Sequence, residues 1–241
     1  MTLSVKAQKF LVWWSIIFLL IFGFAFTQLS HMCPPPSPQL SADDVGSYYT
    51  KYSSSILLGA MLAAWASGFM VPLGVVISSQ MIRIERGWSV WSILQLMGAV
   101  MMGLFLVLPP IFWGAGAFHP DRLSAVTSGI NDIANLTMVT TDQYYMFQSI
   151  AIIVICFTST QSPDNPFTRW LGYIWLLCGL IFEVGPLAFL FKSGLLAWNG
   201  IIPFWFPLVF FGIQLITMFI ALLHALSKQS NSYVSRSSAP A

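Results

Sequence analysis

Phe10 to Leu29 contains no Asp, Glu, Lys or Arg, and stretches of the same kind recur along the chain. A helix needs about 20 such residues, at about 1.5 Å each, to cross a hydrocarbon core about 30 Å thick. Inside that core every backbone N–H and C=O must be paired within the protein, so the spanning element is a helix. Six candidate spans follow. They are Phe10 to Leu29, roughly Ile56 to Ile77, roughly Ser89 to Trp113, a fourth built on Met146 to Phe157 and extended back towards Thr140, Trp170 to Phe191, and Ile201 to Leu226.

Composition agrees. Of 241 residues, 57% are hydrophobic and 7% are charged, against about 25% charged in soluble domains. That excludes a soluble enzyme, a nucleic-acid binder, a disordered chain and a disulfide-stapled secreted domain. The net charge of +2 is too small to call for a nucleic-acid partner. Cys33, Cys156 and Cys178 are scattered and make no disulfide framework or metal-ligand spacing. His31, His119 and His224 are equally dispersed, and no metal or cofactor is expected. The expected fold class is an all-α polytopic transmembrane helical bundle of about six spans. Residues 1–228 form one domain, and the Ser-rich tail 229–241 is expected to be disordered.

Lys6 and Lys9 precede the first apolar run, which makes a signal peptide the competing reading. The run exceeds the roughly 7 to 15 residues of a signal h-region, so it is taken as a retained span. Basic residues set the orientation. Lys6, Lys9, Arg83, Arg86, Arg169, Lys228 and Arg236 fall on the side of the termini, against Lys51, Arg122 and Lys192 on the other. Both termini are therefore expected to be cytoplasmic. Trp13, Trp14, Trp88, Trp91 and Trp170 near inner helix ends, and Trp113 and Trp198 near outer ends, read as aromatic belts. Membrane lipids are the expected surroundings.

Polar groups at membrane depth are costly and are candidates for function. Glu183 lies about 20 Å beyond Trp170 along a straight helix, and Gly185 and Pro186 follow it with an expected kink. It reads either as a functional carboxylate or as a neutral group hydrogen-bonded to a neighbour. Asn131 and Asn135 share a helical face, with Asp132 beside them, in a short amphipathic helix from Ser124 to Met138. Lys192, Trp198 and Asn199 follow the fifth span, where lysine snorkels and tryptophan anchors, or where Lys192 faces Asp132. Gln148 joins them as a lone amide in the fourth span, as Gln95 and Gln214 are in the third and sixth. Gly59, Ala63 and Ser67 form a small-xxx-small stripe fit for a helix partner. Prolines at 72, 109, 110, 186, 203 and 207 imply kinked packing around an internal cavity.

Four stretches, Met32 to Ala42 (MCPPPSPQLSA), Gly129 to Asn135 (GINDIAN), Pro166 to Tyr173 (PFTRWLGY) and Phe191 to Gly200 (FKSGLLAWNG), resemble a family of small multi-span bacterial integral membrane proteins with no assigned activity. The resemblance implies a standalone six-helix bundle in the bacterial inner membrane. It covers Asn131, Asp132, Lys192, Trp198 and Asn199 but not Glu183. A looser architectural likeness is to membrane-bound terpene cyclases, which have seven spans and buried acid carboxylates.

Three functions follow as expectations. The first is binding or transport of a hydrophobic or amphipathic small molecule in a cavity open to the outer leaflet, with Asn131, Asp132, Lys192, Trp198 and Asn199 at its mouth and Glu183 deeper. The second is an accessory subunit of a membrane complex. The third is an intramembrane enzyme acting on a lipid or isoprenoid through Glu183 and Asp132.

Overall fold

The computed structural model describes residues 3–87, 89–141 and 143–237, and no strand occurs among them. Trp88, Asp142 and residues 238–241 lie outside the described residues. The first rod is α1 (Val5–Phe24), prolonged by a π-helical turn, Ala25–Leu29. The second is α2 (Ala42–Ala66), a 3₁₀ turn at Ser67–Phe69, and α3 (Met70–Glu85). Then come α4 (Val90–Ala117), α5 (Ser124–Thr140), α6 (Gln143–Thr158) and α7 (Arg169–Phe182), which continues into a 3₁₀ turn, Gly185–Phe189. A π-helical turn, Ile201–Trp205, opens α8 (Phe206–Ser237). Five rods are long and apolar enough to cross a membrane. The remaining one, α5 and α6 together, is interrupted beside Thr141.

Local chemistry explains where the rods begin and break. Ser41 accepts from the Asp44 N–H at 3.2 Å, and Asp43 and Asp44 occupy the first turn. The cap satisfies an orphan donor, and the acids complement the helix dipole. The second rod therefore starts 14 residues before the apolar run at Ile56 and spans 44 residues. Ser89 and Ser92 cap α4 reciprocally. Pro109 and Pro110 lie inside α4, and they remove the N–H groups that would bond the carbonyls of Phe105 and Leu106. Helix α8 extends to Ser237.

Side-chain bonds identify two opposite ends of the bundle. At the end bearing the termini, Gln80 donates to Gln8 at 2.6 Å, and Gln229 donates to Gln80 at 3.0 Å. Arg83 reaches Asp164 with Nη1 at 2.8 Å and Nη2 at 2.7 Å. This knot joins α1, α3, α8 and the connection between α6 and α7. At the other end, Ser53 donates to the Ala117 carbonyl at 2.9 Å and Ser55 to the Leu29 carbonyl at 2.8 Å. The first rod belongs to the core, with Val12 and Phe22 of α1 and Ala25 and Phe26 of its π-helical turn buried.

Gly59, Ala63 and Ser67 are all buried within the chain itself. A Cβ on Gly59 would stand 2.7 Å from the Ser30 nitrogen. At Gly59 the stripe lies against the chain's own Leu29–Ser30 segment, because the absent side chain lets the two backbones approach. Trp13, Trp14 and Trp170 are exposed as belt residues, but Trp113 and Trp198 are buried. Their indole N–H groups have found internal acceptors.

Candidate functional site

The helix irregularities converge. Phe22 and Phe26 of the first rod, Leu106, Pro109 and Trp113 of α4, Met138 and Thr141 at the α5–α6 break, Phe182 at the end of α7, and Phe204 and Phe211 at the start of the last rod line one half-enclosed cavity of about 90 Å³. Its wall is almost wholly apolar. Several broken or proline-bearing rods cannot close against one another as straight helices do, and aromatic rings line the space that remains.

Behind this cavity lies a buried polar chain. The Tyr49 hydroxyl donates to Asn131 Oδ1 at 3.1 Å, and Asn135 Nδ2 donates to the same atom at 2.9 Å. Trp113 Nε1 donates to Asn135 Oδ1 at 3.3 Å. All four residues are about 1% exposed. The shared face of Asn131 and Asn135 follows from their spacing on α5. Tyr49 and Trp113 escape a sequence reading, since one stands in the polar lead of α2 and the other resembles a belt residue. The signal for Tyr49 is the Ser41–Asp44 cap, which makes residue 49 helical.

The other expected site residues are distributed differently. Asp132 and Lys192 are exposed at the same end of the bundle. The charge of Lys192 acts on Asp132 without reaching ion-pair distance. The ion pair found among the described residues is Arg83–Asp164. Trp198 packs with Val139 and Ala188 and donates to the Pro36 carbonyl at 2.8 Å. Val139 also lines the cavity, so Trp198 supports its wall from behind. Asn199 is half-buried.

Glu183 does not lie deep in the cavity, where it was expected. Helix α7 ends at Phe182, whose ring lines the cavity, and Glu183 turns outward and is exposed. Neither Glu183 nor Asp132 lines the cavity. Glu183 and Asp132 therefore do not share a wall of this cavity.

Gln148 is fully buried on α6, and neither amide atom has a hydrogen-bond partner among the described residues. Tyr145 Oη, Ser149 Oγ, Trp175 Nε1 and Gln214 Oε1 are in the same condition on α6, α7 and α8. The Tyr145 ring meets Phe182 and Phe211 at 5.5 and 5.4 Å between centroids. This polar seam therefore adjoins the apolar cavity on the side of the termini. Among the described residues no group of three His, Cys, Asp or Glu stands ready to hold a metal.

Comparison with models of protein families, with curated proteins and with solved structures finds no match.

Proposed function

We propose that this is a multi-pass protein of the bacterial inner membrane that binds, or carries, the apolar chain of an amphipathic molecule. Both termini are read as cytoplasmic, from the excess of basic residues at that end. The cavity between Leu106, Met138, Phe182 and Phe211 carries the reading. It faces the bundle interior at the level of the helix breaks, and its apolar wall offers nothing to an ion. A lipid chain in the bilayer is already out of water, so shape fit and dispersion contacts with these rings, rather than transfer from water, would hold a short length of acyl or isoprenoid chain there. Behind the wall, Asn135 holds the Trp113 indole N–H.

Native mass spectrometry of the full chain released from detergent tests this. One or two lipid-sized adducts that survive release are expected. Leu106→Trp, which fills the cavity, should remove them without loss of folded protein. Adducts equally abundant in Leu106→Trp would mean that the retained lipid lies on the outer surface.

A further inference from the structure

A second, polar cavity of about 380 Å³ lies at the end of the bundle opposite the termini. Its wall combines Ser47, Thr50 and Lys51 of α2, His119 and Arg122 from the α4–α5 connection, and Ser124 of α5. Two glycines let its walls pack closely. A Cβ on Gly46 would stand 2.7 Å from Ser124 Oγ, and one on Gly116 would stand 2.7 Å from the Tyr49 ring. The connection is fastened over the opening. Thr50 donates to the Pro120 carbonyl at 3.3 Å, and Arg122 Nη1 donates to the Ala115 carbonyl at 2.9 Å.

The charge of this wall is one-sided. Lys51 and Arg122 carry it, His119 stands beside them, and no Asp or Glu lines the wall, although Asp43, Asp44, Asp121 and Asp132 lie at the same end of the chain. Neither Lys51 nor Arg122 is paired with a carboxylate among the described residues. Lys51 rests over the Tyr52 ring at 4.8 Å. Helix α5 begins at the same wall without a side-chain cap, so its first N–H groups and its positive dipole end add to the field. Concentrated positive groups in a concave site attract an anion far more strongly than the same groups spread over a surface.

We propose that this cavity is an anion site for a phosphate group. Its level indicates where that phosphate comes from. Lys51 precedes the apolar run at Ile56 by about 8 Å of helix, which is headgroup depth. Tyr49 lines the basic cavity and Trp113 lines the apolar one, and the bonds through Asn131 and Asn135 join them. A phospholipid with a net negative headgroup would present its phosphate to Lys51 and Arg122 and its chain to the apolar cavity. A choline headgroup would bring a third cation against these two. The lipid form of the proposal rests on the chain-binding reading above; the anion site itself does not.

The test uses the full chain in two arms. Nanodiscs holding equal phosphatidylglycerol and phosphatidylcholine are ejected into a mass spectrometer, and inorganic phosphate is titrated into the detergent-purified protein. Retention of phosphatidylglycerol is expected to exceed that of phosphatidylcholine about tenfold, because both carry the phosphate and only choline sets a further cation against Lys51 and Arg122. The ratio should fall towards one in Lys51→Gln and in Arg122→Gln, and stay unchanged in Arg169→Gln at the opposite end. Lys51 makes no hydrogen bond that holds the fold, so its variant reads the site even where Arg122→Gln unfolds. Saturable phosphate binding without lipid preference, lost in Lys51→Gln, would uphold the anion site and identify a free anion as its occupant. Leu106→Trp should keep phosphate binding while losing lipid adducts, which separates this site from the chain cavity. If neither phosphatidylglycerol nor phosphate binds preferentially, or if Lys51→Gln binds both as the parent does, the proposal is overturned.

Discussion

The Tyr49 hydroxyl and Asn131 Oδ1 lie 3.1 Å apart across 82 residues of sequence, inside a part of the bundle closed to solvent. Asn131 Oδ1 also accepts from Asn135, so one oxygen satisfies two donors. Tyr49→Phe removes one donor and is expected to cost about 1 kcal/mol. Asn131→Leu strands two buried donors and should cost about 2 to 4 kcal/mol. Unfolding midpoints in a fixed detergent measure both. Equal effects of the two substitutions would show that the shared acceptor is not the centre of the network.

Gly116 touches the same network. The buried Tyr49 ring occupies the space where a Cβ would stand, at 2.7 Å. Gly116→Ala is expected to destabilise by about 1 to 3 kcal/mol through overpacking. Combined with Tyr49→Ala, which vacates the ring's space, Gly116→Ala should cost much less. Additive costs would place the strain elsewhere.

At the end bearing the termini, the Ser162 hydroxyl and then the Arg83 guanidinium hold the Asp164 carboxyl below the usual carboxylate range, against an opposing push from partial burial. The folded state thus favours ionised Asp164. Its contribution is complete above the unfolded value near pH 4 and fades as pH falls through the lower folded value. Thermal midpoints should therefore drop below about pH 4 more steeply in the parent than in Asp164→Asn. Parallel profiles would contradict the coupling.

Gln148 has two buried amide atoms without partners. Replacing an unmatched buried amide with an apolar group of similar shape removes its desolvation cost. Gln148→Met is expected to raise stability by about 1 kcal/mol. A loss of similar size would mean that a bound polar molecule uses the amide.

The architecture was legible because apolar run length maps directly onto rod length. Asn131 and Asn135 were legible as a pair because helical spacing alone places them on one face. Helix starts were less so. The Ser41–Asp44 cap carries α2 well before its apolar run, and apolar length alone underestimates that rod. Glu183 was placed by assuming a straight helix, and α7 stops one residue before it. Trp113 and Trp198 resemble belt residues until their acceptors, Asn135 and Pro36, are known, and both acceptors lie far away in sequence. The cavity is the least legible feature. It depends on several separate breaks arriving at one level, which no single segment encodes.

Photo-crosslinking with a diazirine-bearing acyl chain, mapped by peptide mass spectrometry, tests most directly whether a chain occupies that cavity. Labelling is expected to concentrate on the segments holding Leu106, Met138, Phe182 and Phe211, and to fall sharply in Leu106→Trp. Labelling spread over outward residues such as Leu20, Leu104, Leu180 and Ile216, and unchanged in Leu106→Trp, would contradict an internal chain site.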